Sequence, residues 1–182
     1  GAETAATPRA RIAAGLGFLS EDRKQEGLAQ TRSLADNITL SRLTPYSRWG
    51  WLNLRRRRDS VDDWMRRIAV KASTSEQPVH TLSGGNQQKF IVGRELSGDP
   101  QLIIAAQPTR GVDVGAQAII WEHLMRARSR GAAILLVSAD LEELFSLSDR
   151  IAVIYSGSIV SVLDPTKTTP EDIGLAMTGA AN

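Results

Sequence analysis

The segment Leu82-Ser83-Gly84-Gly85-Asn86-Gln87-Gln88-Lys89 has the residue types and spacing of a phosphate cradle. Ser83 is a natural N-cap for a helix running from Gly84 to Leu96. Two glycines remove side chains from the first turn, so a ligand can approach the backbone closely. The leading N–H groups of a helix have no partner inside it, and the macrodipole leaves that end positive. Together these features suit an anion such as a phosphate. Taken alone, the Ser-Gly-Gly triplet is more often an ordinary turn before a helix, so the residues around it must decide.

Other chemistries are excluded by residue type. The chain has no cysteine and two histidines, His80 and His123. That excludes a disulfide scaffold, a thiolate zinc site, a cysteine nucleophile and a histidine-rich metal centre. His80 and His123 read as surface or structural residues. The 182 residues are 42% hydrophobic and 23% charged, which suits one globular domain, or most of one, with a sizeable core. The longest apolar runs, such as Ala132 to Val137, are far too short to span a bilayer, and no signal peptide is visible. The compartment reads as cytosolic. A net charge of +2 does not by itself call for a nucleic-acid partner. The chain opens on Gly1 rather than methionine, which reads as a piece of a longer protein.

The elements that must position the octet follow from periodicity. Residues 1 to 10 are rich in Ala and Thr and read as loose. A helix end and a short strand, Leu16 to Leu19, lead into the polar turn Ser20-Glu21-Asp22-Arg23-Lys24, closed by Gly27. Asp36 is expected to cap a short apolar helix through Ile38, Leu40 and Leu43. An aromatic, turn-rich loop over 44–54 precedes an amphipathic helix with Val61, Trp64, Met65, Ile68 and Ala72 on one face. Residues 73 to 81 read as a loop.

After residue 100 strands and helices alternate, the mark of an α/β sheet. Leu102 to Ala106 and Ala132 to Val137 read as strands buried on both faces of a parallel sheet. A helix from Ala116 to Arg130 lies between them and ends at Gly131. Asp140 caps the next helix, with Glu143 in the capping-box position. Ile151 to Tyr155 and Ile159 to Leu163 form a hairpin about Ser156-Gly157. Thr169, Pro170 and Asp172 open the last helix and Gly179 ends it. The helical stretch of about residues 30 to 97 reads as a lobe apart from the sheet, and no internal repeat is present.

The full octet resembles the signature motif of ATP-binding-cassette ATPases, in the Asn-Gln-Gln form of monosaccharide and nucleoside importers. Gln107-Pro108-Thr109-Arg110-Gly111-Val112-Asp113-Val114-Gly115-Ala116 resembles the segment after the Walker B strand, with its D-loop. Ser148-Asp149-Arg150-Ile151-Ala152-Val153 continues the likeness. Ser20 to Lys24 and Gly27-Leu28 resemble the Q-loop region of the second cassette in these importers. The resemblance covers most of residues 12 to 179. It implies a partial P-loop NTPase (RecA-like) cassette domain, α/β, with a parallel sheet core and a helical signature subdomain. The implied division is 1–29, the start of the core with the Q-loop region; 30–97, the helical signature subdomain; and 98–182, the α/β core with Walker B, D-loop and switch regions.

Departures from the family pattern bear on mechanism. No G-x-x-x-x-G-K-[ST] P-loop occurs in these residues. Where a Walker B strand ends in Asp and Glu, this chain has Ala106 and Gln107. Alanine offers Mg²⁺ no oxygen, and Gln can hydrogen-bond a water without taking its proton. The Q-loop glutamine position holds Glu21, and the switch histidine position holds Ala139. What remains is what a cassette lends across a head-to-tail dimer: Ser83, Gly84, Gly85 and Asn86 of the signature, and Asp113 of the D-loop. Groups acting in cis are lost and groups acting in trans are kept.

The resemblance therefore implies the C-terminal fragment of an importer's ATP-binding subunit, a degenerate cassette whose signature completes the ATP site of an intact one. The subunit would be a transport ATPase using ATP and Mg²⁺, while this chain by itself would be inactive, bind neither tightly and hold no metal. Its implied partners are an N-terminal cassette of the same polypeptide, integral membrane permease subunits and, indirectly, a solute-binding protein, at the cytoplasmic face of the membrane. The solute would be a nucleoside or a monosaccharide. The rival reading is a stand-alone, non-catalytic interaction module that never meets ATP. Trp49, Trp51, Arg48 and Arg55 to Arg58 could stack and pair with nucleic acid. A solvated helix face with tryptophans partly in the core is the commoner case, so no nucleic-acid partner is expected. The groove between the helical lobe and the Q-loop around Glu21 would take a permease helix. Trp64 and Trp121 read as core.

Overall fold

The computed structural model describes residues 7–39, 46–49 and 51–179. Leu40, Leu43 and Pro45 fall outside these, so the expected helix through Leu40 and Leu43 is not described beyond Thr39. The chain packs as two compact units, Gly1–Val137 and Ser138–Asn182.

In chain order the first unit holds α1 (Pro8–Ala13), β1 (Leu16–Leu19), a π-helical turn (Arg23–Gly27), α2 (Leu34–Thr39), β2 (Ser47–Arg48), β3 (Trp51–Leu52) and α3 (Leu54–Arg67). It continues with a 3-10 turn (Val79–Thr81), α4 (Gly84–Leu96), β4 (Leu102–Ala106), α5 (Val114–Ser129) and β5 (Ala133–Val137). The helix over Pro8–Ala13 corrects the loose reading of residues 8 to 10: Thr7 caps it and Pro8 starts it, the preferred place for proline. Ser33, not Asp36, serves the start of α2, since Ser33 Oγ accepts the Asp36 N–H at 3.0 Å. Helix α3 stops before Ala72 because Ala69 turns left-handed at φ 52° just after the C-cap Ile68.

The sheet is parallel, in the order β1-β4-β5, and Phe18, Ile104 and Leu135 share one register row. Side chains alternate across it. Leu19, Ile103 and Ala105 are fully buried on the face toward the helices, with Phe90, Ile91 and Val92 of α4 and Ile120 and Leu124 of α5 in the same core. Trp64 meets Phe90 edge to face with ring centroids 5.3 Å apart. Gly93 lets α3 approach α4, since a Cβ there would stand 2.5 Å from Ile68 Cγ2.

The opposite face corrects the expectation of strands buried on both sides. Phe18, Leu102, Leu135 and Val137 remain 41–56% exposed. Among the described residues β5 pairs with β4 alone, so its other edge carries unpaired backbone groups. An apolar sheet face beside an open edge favours association. The purified chain is expected to form dimers or larger assemblies as concentration rises. A clean monomer by light scattering at high concentration would overturn this.

Trp49 and Trp51 are 89% and 83% exposed, which corrects their expected partial burial. The two-residue strands of the β2–β3 hairpin are too short to present a face that could bury them. Trp64 and Trp121 are partly buried, and His80 is exposed, with Nδ1 3.0 Å from the Gln30 carbonyl oxygen.

His123 sits partly buried on α5. Burial first, then the Arg126 guanidinium, hold its pKa below the ordinary histidine value; Arg130 and Lys89 act the same way and Glu122 opposes them. The unfolded chain therefore takes up the proton more readily than the folded one. The stability contributed is fully present above the ordinary value and is lost as pH falls through it toward the folded value. Melting temperature is expected to fall between about pH 7.5 and 5, with a shallower fall in His123→Gln. Identical slopes would show that His123 is not the group responsible.

The second unit holds α6 (Leu141–Leu147), β6 (Ile151–Tyr155), β7 (Ser158–Leu163) and α7 (Pro170–Met177). Ile151, Val153, Ile173 and Ala176 form its buried cluster. Asp140 caps α6 by accepting the Glu142 and Glu143 N–H groups. Thr169 and Asp172 form a full capping box on α7: Asp172 accepts the Thr169 N–H at 2.9 Å, and Thr169 Oγ1 accepts the Asp172 N–H at 3.2 Å. No helix among the described residues is long and apolar enough to cross a membrane.

Candidate functional site

Four segments of the first unit converge at the N-terminus of α4. Ser83 is its N-cap, in extended backbone, and Ser83 Oγ accepts from Asn86 N–H at 3.4 Å and from Asn86 Nδ2 at 3.1 Å. Asn86 Oδ1 in turn accepts the Lys71 N–H at 3.2 Å. A hydroxyl receiving two donors has its own proton free to point elsewhere. Gly84 and Gly85 follow, their N–H groups at the positive end of a 13-residue helix.

The turn after β4 closes against this helix. Gln88, buried, donates from Nε2 to the Pro108 carbonyl at 2.7 Å. Asp113 caps α5 by accepting the Ala116 N–H at 2.9 Å. Its other oxygen lies 3.1 Å from where a Cβ on Gly85 would stand, and the Ala116 methyl is equally close. Gly85 is therefore glycine because α5 begins against it. Lys89 donates from Nζ to the Ala69 carbonyl at 2.8 Å. Burial first, and then Lys71, hold its pKa below the ordinary lysine value, while Asp113 pulls the other way.

The loop after β1 supplies the fourth segment. Asp22 accepts the Lys24 and Gln25 N–H groups and shapes the π-helical turn. Glu21 pairs with Arg110, and Arg23 Nη1 donates to the Arg110 carbonyl at 2.9 Å. Thus Glu21, Ser83 to Asn86 and Asp113 belong to one connected region. Ala106 ends β4, and Gln107 follows it in left-handed backbone at φ 50°, its N–H bound to the Val137 carbonyl at 2.8 Å. Ala139 follows β5 and belongs to the other compact unit.

Sequence reasoning gave no role to Arg23, Arg110 or Gln88. Glu21 and Arg110 are 89 residues apart, and no local pattern announces such a pair. The Gly84 and Gly85 N–H groups lead α4, which gives the turn the donors an anion would need. At the end of β4 the Ala106 side chain carries no oxygen or nitrogen with which to ligate a metal ion. No group of three or more His, Asp or Glu gathers elsewhere among the described residues.

No protein-family model matches the chain. Curated relatives do. The ribose import ATP-binding protein RbsA of Geobacillus kaustophilus is 38% identical over 173 residues, 95% of this chain and 35% of the relative. The guanosine import ATP-binding protein NupO of Bacillus subtilis is 40% identical over 176 residues, 96% of this chain and 34% of that one. The chain belongs to the ATP-binding-cassette proteins, and over nearly its whole length it is similar to the ATP-binding proteins of ribose and guanosine importers. It spans about a third of the length of the curated relatives it matches. The cassette fold is seen directly in a dimeric, post-hydrolysis structure of the ATP-binding cassette MJ0796 bound to ADP and phosphate. The TM-score is 0.69 at 20% identity, covering 85% of this chain and 65% of that one. The cassette here is thus partial: an α/β parallel sheet with the signature helix packed on it.

Proposed function

We propose that this chain is part of a degenerate second cassette in the ATP-binding subunit of a nucleoside or monosaccharide importer. It lends Ser83, Gly84, Gly85 and Asn86 to a nucleotide held by an intact N-terminal cassette of the same polypeptide. The observation that carries this reading is the pairing of an intact signature turn, braced by Asp113 and Gln88, with a β4 terminus lacking any carboxylate.

The Ser83 hydroxyl, already holding two Asn86 donors, turns its own proton toward a γ-phosphate oxygen. The Gly84 and Gly85 N–H groups add two donors at the positive helix end. Asp113 fixes the start of α5 and thereby the wall behind Gly85. ATP supplies the phosphoryl group that passes to water, chemistry governed by positioning and charge. Gln107 holds a water at most, so proton abstraction and Mg²⁺ ligation belong to the partner cassette. The division at 1–29, 30–97 and 98–182 assigns the Q-loop region, the signature lobe and the remaining core to this task. In this reading a permease helix docks between the helical lobe and the Q-loop region around Glu21. The subunit sits peripherally on the cytoplasmic face of the membrane, coupled to permease subunits and, through them, to a solute-binding protein.

Titration of MgATP into the purified chain, with a far-UV spectrum to show that it is folded, tests this. Folded protein with no binding heat and no hydrolysis is expected. Binding at micromolar strength, about 8 kcal/mol, would require a complete phosphate site on this chain and overturn the reading.

A further inference from the structure

We propose that Arg23 is a positioning residue for the signature turn. The inference rests on the reading of Ser83 to Asn86 as a nucleotide-binding turn and adds to it a residue from the loop after β1. Arg23 opens the π-helical turn, whose shape is set by Asp22 accepting the Lys24 and Gln25 N–H groups at 3.0 Å each. Its Nη1 donates to the Arg110 carbonyl at 2.9 Å. Its Nη2 lies 2.9 Å from where a Cβ on Gly84 would stand and 3.7 Å from that point on Gly111. Its Nε is buried without a hydrogen-bond partner. One guanidinium therefore rests on two glycine backbones, one in the signature turn and one in the turn after β4.

This contact gives Gly84 a second reason to lack a side chain. A methyl group there would oblige the guanidinium end of Arg23 to shift, while Nη1 is the atom that holds the Arg110 carbonyl. The charges nearby are committed elsewhere: Glu21 pairs with Arg110, and Asp113 caps α5 beside Gly85. A cation held against the positive end of a helix, with one N–H unsatisfied, is a costly arrangement for a flexible side chain. An anion arriving at the turn relieves that cost. Arg23 thus acts through Gly84. It ties the turn to the Arg110–Gly111 backbone, so that the Gly84 and Gly85 N–H groups are already aimed when a phosphate arrives. It also links any movement of the Glu21 loop to the signature.

The test uses the complete protein assembled with its membrane partner and measures ATP turnover against MgATP concentration. Arg23→Ala is expected to raise KM about fivefold, the worth of one hydrogen bond, while kcat changes less than about twofold, the pattern for lost binding in the ground state. Arg23→Lys, whose ammonium can still reach the Arg110 carbonyl, is expected to recover most of the KM. Gly84→Ala is expected to raise KM in the wild-type background and to add little in Arg23→Ala, because both break one contact. Ser83→Ala separates the two readings. If it leaves turnover unchanged, the nucleotide-binding turn itself is wrong. If it abolishes turnover while Arg23→Ala has wild-type KM and kcat, the role of Arg23 alone is overturned. Equal KM and equal loss of melting temperature in Arg23→Ala and Arg23→Lys would mean a purely structural contact, and would also overturn it.

Discussion

Ser83→Ala in the complete protein is expected to lower ATP turnover at the shared site by about a hundredfold or more, the usual cost of losing one preorganised donor to developing charge. The expectation follows from the position of Ser83 Oγ, which accepts both Asn86 donors and has one proton left to give. Ser83 is also the N-cap of α4, and its loss costs about 1 kcal/mol of stability. Melting must therefore be followed alongside turnover. Ser83→Thr keeps both cap and hydroxyl and should retain most activity. Gly85→Val should be at least as damaging, since its Cβ would meet the Ala116 methyl and the Asp113 carboxylate at 3.1 Å each. The side chain would displace the start of α5 as well as block the turn. Undiminished transport in Ser83→Ala, with normal expression and folding, would sink the signature assignment.

Phe90→Ala should remove much of the folding stability of this chain. Phe90 is fully buried in α4 and meets the Trp64 ring edge to face at 5.3 Å. Truncating a buried phenylalanine costs about 3–5 kcal/mol through lost transfer energy and the cavity left behind. Domains of this kind have a total stability of about 5–15 kcal/mol. Urea unfolding followed by tryptophan fluorescence should show a midpoint shifted far toward zero denaturant with little change in slope. The local core could not collapse to fill the space, because Gly93 already brings Ile68 and Trp64 as close to α4 as they can come. A loss below about 1 kcal/mol would mean that α3 and α4 do not pack as described.

These expectations draw unequally on sequence and structure. The span of α4, the Ser83 and Asp140 caps, the Thr169–Asp172 capping box and the Gly157 and Gly131 turns were all legible in the chain. Each depends on residues within four positions of one another, where backbone geometry alone decides who meets whom. The Ser-Gly-Gly turn that opens α4 was legible for the same reason. The apolar runs at 102–106 and 132–137 correctly announced parallel strands but not their exposure: composition says that a face is apolar, and only the neighbours present decide whether it is covered. The exposed Trp49 and Trp51 differ from expectation in the same way. Tertiary structure alone joined Glu21 to Arg110 and laid Arg23 over Gly84, across 89 residues in the first case. Charges so far apart in the chain meet only because β1 lies beside β4 in the parallel sheet, which brings the loops after the two strands to one end.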